Sequence, residues 1–195
     1  DESLYAMQFL GPPFTFGVNL VSENITTMGP LSAVAVEDNV FWMGLKEFYV
    51  YGGTVQRLPC TVRDFVFDDF NILQREKIVA ATNTAFSEIW WFYPSADSDN
   101  NDRYVVYNYE QQVWYFGAMA RSFWMDRGIF DQPIAAGPNN YLYSQETGFD
   151  DDGSALTAYI ESSQIDIADG EQFSFIRRMI PDLTFRGSTA GSPSA

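Results

Sequence analysis

The segment Ile78–Tyr93, IVAATNTAFSEIWWFY, sets small aliphatic residues before a polar turn and bulky aromatic residues after it. Short runs of β-branched and aromatic residues bounded by Asn, Ser and Thr read as two antiparallel strands. Two further segments open alike. Ser32–Val36 (SAVAV) precedes Val40–Met43 (VFWM), and Pro133–Ala136 (PIAA) precedes Tyr141–Tyr143 (YLY). The aromatic landmarks Trp42, Trp91 and Tyr143 thus recur about every 50 residues, the length of one supersecondary unit.

A third strand follows in each unit, at Phe48–Tyr51, Arg103–Tyr109 and Ala155–Ile160. A fourth reads at Val55–Leu58, Val113–Phe116 and Gln172–Arg178. Four strands at this period predict an all-β chain of β-propeller-like, four-stranded blades, with about three visible. Small residues suit innermost strands that crowd an axis, and aromatics fill the space between blades. Three units are too few for a ring of roughly 4–8 blades, so either the N-terminal 30 residues and further sequence complete the ring or the propeller is partial in this stretch. The alternative is a β-sandwich with evenly spaced strands. On this reading residues 1–31 are an incomplete blade or a connection, 32–186 are blades, and 187–195 (GSTAGSPSA) are a flexible tail. A start at Asp1 rather than Met reads as a piece of a longer polypeptide. Asp68–Lys77 (DDFNILQREK) is the one predicted helix, capped by Asp68 or Asp69.

The 195 residues include 26 acidic and 11 basic side chains, a net charge of −15, and no histidine. Such a charge argues against gripping nucleic acid through its phosphates and against docking on an anionic membrane. Without histidine no Ser-His-Asp or Cys-His pair and no His-ligated zinc or iron site can be built. The single cysteine, Cys60, reads as a small buried hydrophobe rather than a reactive thiol. Leu4–Ser22 carries no formal charge, but Gly11, Pro12, Pro13 and Gly17 interrupt it, so neither a membrane span nor a signal peptide is expected.

Few constellations carry chemistry. Asp97, Asp99 and Asn101 imitate the first half of an EF-hand loop, a weak calcium candidate. Asp102 and Asn108 stand where that loop needs Gly and Glu, so a solvated hairpin tip is the first reading. Asp150–Gly153 is a turn of the same kind. Carboxylates for glycoside hydrolysis exist in excess (Asp64, Asp69, Glu88, Asp126, Glu146, Glu161), and nothing selects a pair. No catalytic residue and no cofactor is assigned. The arginines are few and clustered, Arg186 among them, and Arg57, Arg63, Arg121, Arg127, Arg177 and Arg178 are the interface candidates. Their first reading is pairing with Asp64, Asp126 or Asp182, and their second is contact with a partner.

Four stretches resemble a family of tailed-bacteriophage structural proteins, the hub or nozzle proteins of short-tailed phages, also described as packaged-DNA stabilisation proteins. They are VFWMGLKEFYVYGGTVQRLPCTVRDFVFDDFN (Val40–Asn71), SEIWWFYPSADSDNNDRYVVYNYEQQVWYFG (Ser87–Gly117), ETGFDDDGSALTAYIES (Glu146–Ser162) and FIRRMIPDL (Phe175–Leu183). The resemblance spans about Ser32 to Gly187 and implies a propeller-bearing, non-enzymatic virion protein. It further implies a homo-oligomer, a hexameric ring on the tail axis below portal and adaptor proteins. Tail fibres or a spike would attach to it, and genomic DNA would pass through without specific binding. The family brings no residue-level motif. The rival expectations are a carbohydrate-binding propeller with exposed tryptophan platforms, and a carboxylate-based glycan hydrolase.

Overall fold

The run IWWFY is apolar at every position because its strand is covered on both faces. In the computed structural model, which describes residues 3–148, 150, 151, 153–155, 175, 177 and 178, it lies in the middle of a stack of sheets. The first two strands, β1 (Ser3–Phe9) and β2 (Phe16–Glu23), form an antiparallel hairpin. The next four are β3 (Ala33–Val36), β4 (Asn39–Met43), β5 (Phe48–Tyr51) and β6 (Val55–Leu58), a sheet in sequential order. A second sequential sheet follows, with β7 (Val79–Asn83), β8 (Glu88–Tyr93), β9 (Arg103–Asn108) and β10 (Val113–Ala118). A third has three strands, β11 (Phe123–Met125), β12 (Ile134–Ala136) and β13 (Leu142–Ser144). All pairings are antiparallel, and the chain is all-β. Residues 149–195 belong to a separate unit whose described part includes the short pair β14 (Asp150–Asp151) and β15 (Ser154–Ala155).

The sheets pack face to face. Between the first and second lie Phe41, Met43, Phe48, Val66, Ile89, Trp91, Tyr93 and Val105, with Phe48, Trp91, Tyr93 and Val105 excluded from solvent altogether. On the other face of the second sheet, Trp90, Phe92 and Val106 meet Trp124 and Ala135 of the third. Successive residues of β8 therefore point into two different cores, and alternation between polar and apolar disappears. The first two sheets also share a register. Ala33 stands opposite Trp42, and Ala80 stands opposite Trp91. A small residue beside each indole leaves room for the neighbouring first strands, and β7 lies beside both β3 and β11. Indole N–H groups tie the stack together. Trp91 Nε1 donates to Ser32 O at 3.0 Å, and Trp124 Nε1 donates to Thr82 O at 3.0 Å.

Two local expectations change. The helix expected over Asp68–Lys77 is divided into α1 (Arg63–Asp68) and a 3₁₀ segment, Ile72–Lys77. Asp68 ends α1 and Asp69 follows it, so neither is an N-cap. Asn71 takes that role for the second turn, its side chain accepting from Leu73 N–H at 3.1 Å. The division has a tertiary cause. Phe70 bridges to Ser95 and stacks on Tyr93 at 5.8 Å, while Asn71 N–H donates to Pro94 O at 3.0 Å, which draws the chain out of helix. The third unit also opens a strand earlier than its repeat suggested. Ile134–Ala136 is the middle strand, and Trp124 rather than Tyr143 packs against the second sheet. The further strands expected at Ala155–Ile160 and Gln172–Arg178 fall almost wholly outside the described residues, as does the expected tail.

Candidate functional site

Charge is segregated between the two ends of the sheet stack. Thr82–Thr84, at the C-terminal end of β7, gathers carboxylates from three directions. Asp126 Oδ2 accepts from Thr82 Oγ1 at 3.0 Å and from Thr84 N–H at 2.9 Å. Glu146 Oε1 accepts from Asn83 Nδ2 at 3.1 Å, and Glu88 stands opposite Asn83 on β8. A cleft of about 640 Å³ at the same end is walled by Val36, Glu37, Thr82, Ser87, Tyr109 and Glu110. Five carboxylates thus line this end, with Arg127 as their nearest basic neighbour in sequence. The described ion pairs, Arg57–Glu47, Arg63–Glu47, Arg63–Asp64, Arg75–Glu76, Arg103–Asp69 and Arg103–Asp102, all lie at the opposite end. Cations are spent pairing one end, and the other keeps its negative field.

Glu88 is held by two aromatic side chains. It accepts from Trp90 Nε1 at 2.9 Å and, through its other oxygen, from the Tyr115 hydroxyl. Burial pushes the Tyr115 phenol well above the ordinary tyrosine range, and the bond to Glu88 pushes it further. Burial also raises Tyr104, with Glu88 adding to it. A carboxylate whose two oxygens are occupied by aromatic donors is an anchor for those rings. Of the six acids considered for hydrolysis, Glu88, Asp126 and Glu146 reach this end, Asp64 and Asp69 lie at the other, and Glu161 is outside the described residues.

No tryptophan ring stands exposed among the described residues. Trp42, Trp90, Trp91 and Trp124 are all buried. They stack on neighbours of their own chain, Trp90 on Trp124 at 5.3 Å and Trp42 on Tyr49 at 5.4 Å. Trp114 is half-buried, and its N–H donates to Pro59 O at 2.8 Å. Cys60 is half-buried, and desolvation pushes its thiol up to about 11. That suits the inert reading of this residue.

The calcium candidates serve other bonds. Asp99 Oδ1 accepts from Gln74 Nε2 at 3.2 Å, and Asn101 Nδ2 donates to Lys77 O at 2.7 Å. The Lys77 ammonium donates to the Asp99 carbonyl, a positive charge set among the proposed ligands. Among the described residues no group of three His, Cys, Asp or Glu side chains could hold a metal ion.

The arginine candidates divide. Arg57 and Arg63 share Glu47 at 3.7 and 3.2 Å, and Arg63 also meets Asp64 at 2.5 Å. Arg121 lies 4.6 Å over the Tyr143 ring and donates to Ala120 O at 2.8 Å. Arg127 is exposed, and its backbone N–H rather than its guanidinium reaches Asp126. Arg177 and Arg178 are exposed in the second unit. Arg186 and Asp182 lie outside the described residues.

Sequence reasoning missed the surface that stands out most. Leu4–Ser22 folds as the two strands of the β1–β2 hairpin. Its register pairs Tyr5 with Leu20, Met7 with Val18 and Phe9 with Phe16, all on one face. These six side chains, with Leu10 and Phe14 at the tip, are 50–71% exposed. The signal was present as two alternating runs, Tyr5-Met7-Phe9 and Phe16-Val18-Leu20, around a Gly-Pro-Pro turn. Beside the hairpin's base an apolar groove of about 610 Å³ opens on the outer face of the first sheet, lined by Leu4, Val21, Val40, Trp42, Leu45 and Tyr51 among others. No described helix is long and apolar enough to cross a membrane. No family model matches this chain, and no curated protein is similar enough to count as a relative.

Proposed function

We propose that the chain is a non-catalytic structural protein of a phage tail, part of the nozzle or hub that closes and then conducts the genome exit channel. The stacked sheets are read as propeller blades. In support, two successive four-stranded meanders share a register, their first strands lie beside one another, and the second of these lies beside β11. The phage assignment itself rests on the four resembling stretches, and the hexameric ring, the portal, adaptor, fibre and spike partners and the virion location come with it.

The observation that carries the reading is the charge segregation. An end lined by Glu37, Glu88, Glu110, Asp126 and Glu146 presents like charge to phosphates within a Debye length of roughly 8 Å. A basic lining would brake DNA, whereas a carboxylate lining lets it slide. The buried tryptophans weigh against the sugar-binding alternative. Immunogold labelling of intact virions from the source tests the assignment. Gold confined to the tail tip or stem is the expected result. Gold on fibre ends moves the role to receptor binding, and its absence together with absence of the chain from virion protein overturns the reading. The sliding-channel idea fails by itself if a basic end faces the lumen.

A further inference from the structure

The β1–β2 hairpin exposes an apolar ladder that nothing in its own unit covers, and the same unit carries an open apolar groove. We propose that the hairpin of one copy of this chain docks into the groove on the first sheet of a second copy, a head-to-tail contact. This deepens the ring reading above by naming the surface between copies, and it rests on that reading for the closure of the ring alone.

Three observations select the occupant. The first is charge. Each chain carries −15, so two copies repel wherever their acidic surfaces meet, but Leu4–Ser22 holds no Asp, Glu, Lys or Arg. The hairpin is the long element through which a like-charged copy can approach without facing charge on charge, and it offers a basic partner nothing to pair with. The second is area. Eight apolar side chains at 50–71% exposure present on the order of 100 Å² apiece. Their sum is near the roughly 800 Å² per partner that a standard interface buries. The third is reach. The groove's near wall is the hairpin's own base, Leu4, Tyr5, Ala6 and Val21, so of the ladder only Tyr5 reaches it, and Met7, Phe9, Phe16 and Val18 farther along the strands are not among its lining residues. A second copy supplies them. A donor surface and a receiving surface at different places on one chain make a heterologous contact, the kind that closes rings.

A lipid bilayer fits less well. The ladder occupies one face, while the other carries Gln8 and Asn19, and among the described residues no further strand pairs with either edge of the hairpin. Open sheet edges are not tolerated in hydrocarbon.

The test is sedimentation of the full chain over a wide concentration series, with complementation. The native chain is expected to associate reversibly. Met7→Glu with Val18→Glu disables the arm, and Val40→Glu with Leu45→Glu disables the groove, so each double variant is expected to sediment as a monomer. Mixing the two restores one intact arm and one intact groove, and a heterodimer is expected. Gln8→Glu with Asn19→Glu adds the same charge to the opposite face of the hairpin and is expected to leave association intact. Because it carries an equal burden on folding, it separates loss of the contact from loss of the fold. A native chain that stays monomeric at every concentration overturns the proposal without touching the virion reading, which the gold label judges. Association of the arm variant at native strength also overturns it. Association of the groove variant at native strength points to hairpin–hairpin pairing and overturns the groove, and a mixture that stays monomeric overturns the docking of arm into groove. Flotation of a monomeric chain with neutral phosphatidylcholine vesicles assigns the ladder to a membrane instead.

Discussion

Strand β8 and the β1–β2 hairpin are built from the same kinds of residue and end in opposite environments. In β8, Trp91, Phe92 and Tyr93 have no solvent exposure, because a sheet lies against each face. In the hairpin, Tyr5, Met7, Phe9, Phe16, Val18 and Leu20 align on one face and stay open. Apolar residues on a strand mark a face to be covered, and they do not name the cover. For β8 the cover is the neighbouring sheets of the same chain. For the hairpin it is proposed to be another copy.

The sharpest way to break this contrast is to truncate both regions. Trp91→Ala removes a side chain packed on Phe48 and Trp114 and one of the two hydrogen bonds to the Ser32 carbonyl, which keeps the one from Met43 N–H. A loss of about 3–5 kcal/mol is expected in urea unfolding. A loss under ~1 kcal/mol would mean that the sheets do not form a shared core. Next in size is Asp102→Ala. This carboxylate accepts from Ser95 N–H and Ser95 Oγ, both at 2.8 Å, and pins the loop between β8 and β9. Its removal is expected to cost about 1–3 kcal/mol by the same measurement.

Alkaline titration separates the regions without mutation. Burial raises the Cys60 thiol from 9.0 to about 11, and raises the Tyr93 phenol above the ordinary tyrosine range. Both groups are neutral while protonated, and the folded state holds those protons longer than the unfolded one. Their contribution is whole below pH 9 and is lost as pH climbs, by on the order of 1–2 kcal/mol between pH 9 and 11. Unfolding midpoints across that window check the sign, and Cys60→Ala should flatten the early part of the decline. The smallest effect is expected from Val18→Ala on the hairpin. It should change the stability of the monomer by less than about 0.5 kcal/mol, and a cost of ~2 kcal/mol would mean that the ladder is already covered within its own chain.

Much of the fold was legible in advance. Nearly every strand from β3 to β10 falls where short aromatic and β-branched runs lie between turn residues, because backbone and side-chain preferences act over a few neighbours. The misreadings share a cause. The helix over Asp68–Lys77 gave way to the pairing of Phe70 with Ser95, and the third sheet took Phe123–Met125 as a strand because Trp124 had a tryptophan to stack on. Both depend on residues distant in sequence. The candidate site was less legible still. Asp126 and Glu146 lie 42 and 63 positions from the residues of β7 and its following turn that they bond, and no spacing rule joins them.

By itself the sequence determined an all-β chain with a heavy aromatic load, a strong negative charge, and no histidine chemistry. These follow from composition and from contacts between near neighbours, which any folding of the chain must respect. Only the tertiary structure decided which aromatic faces are buried, which carboxylates gather at one end, and which hairpin is left uncovered. Those outcomes are set by burial and charge among residues far apart along the chain, and they exist only once the sheets have stacked.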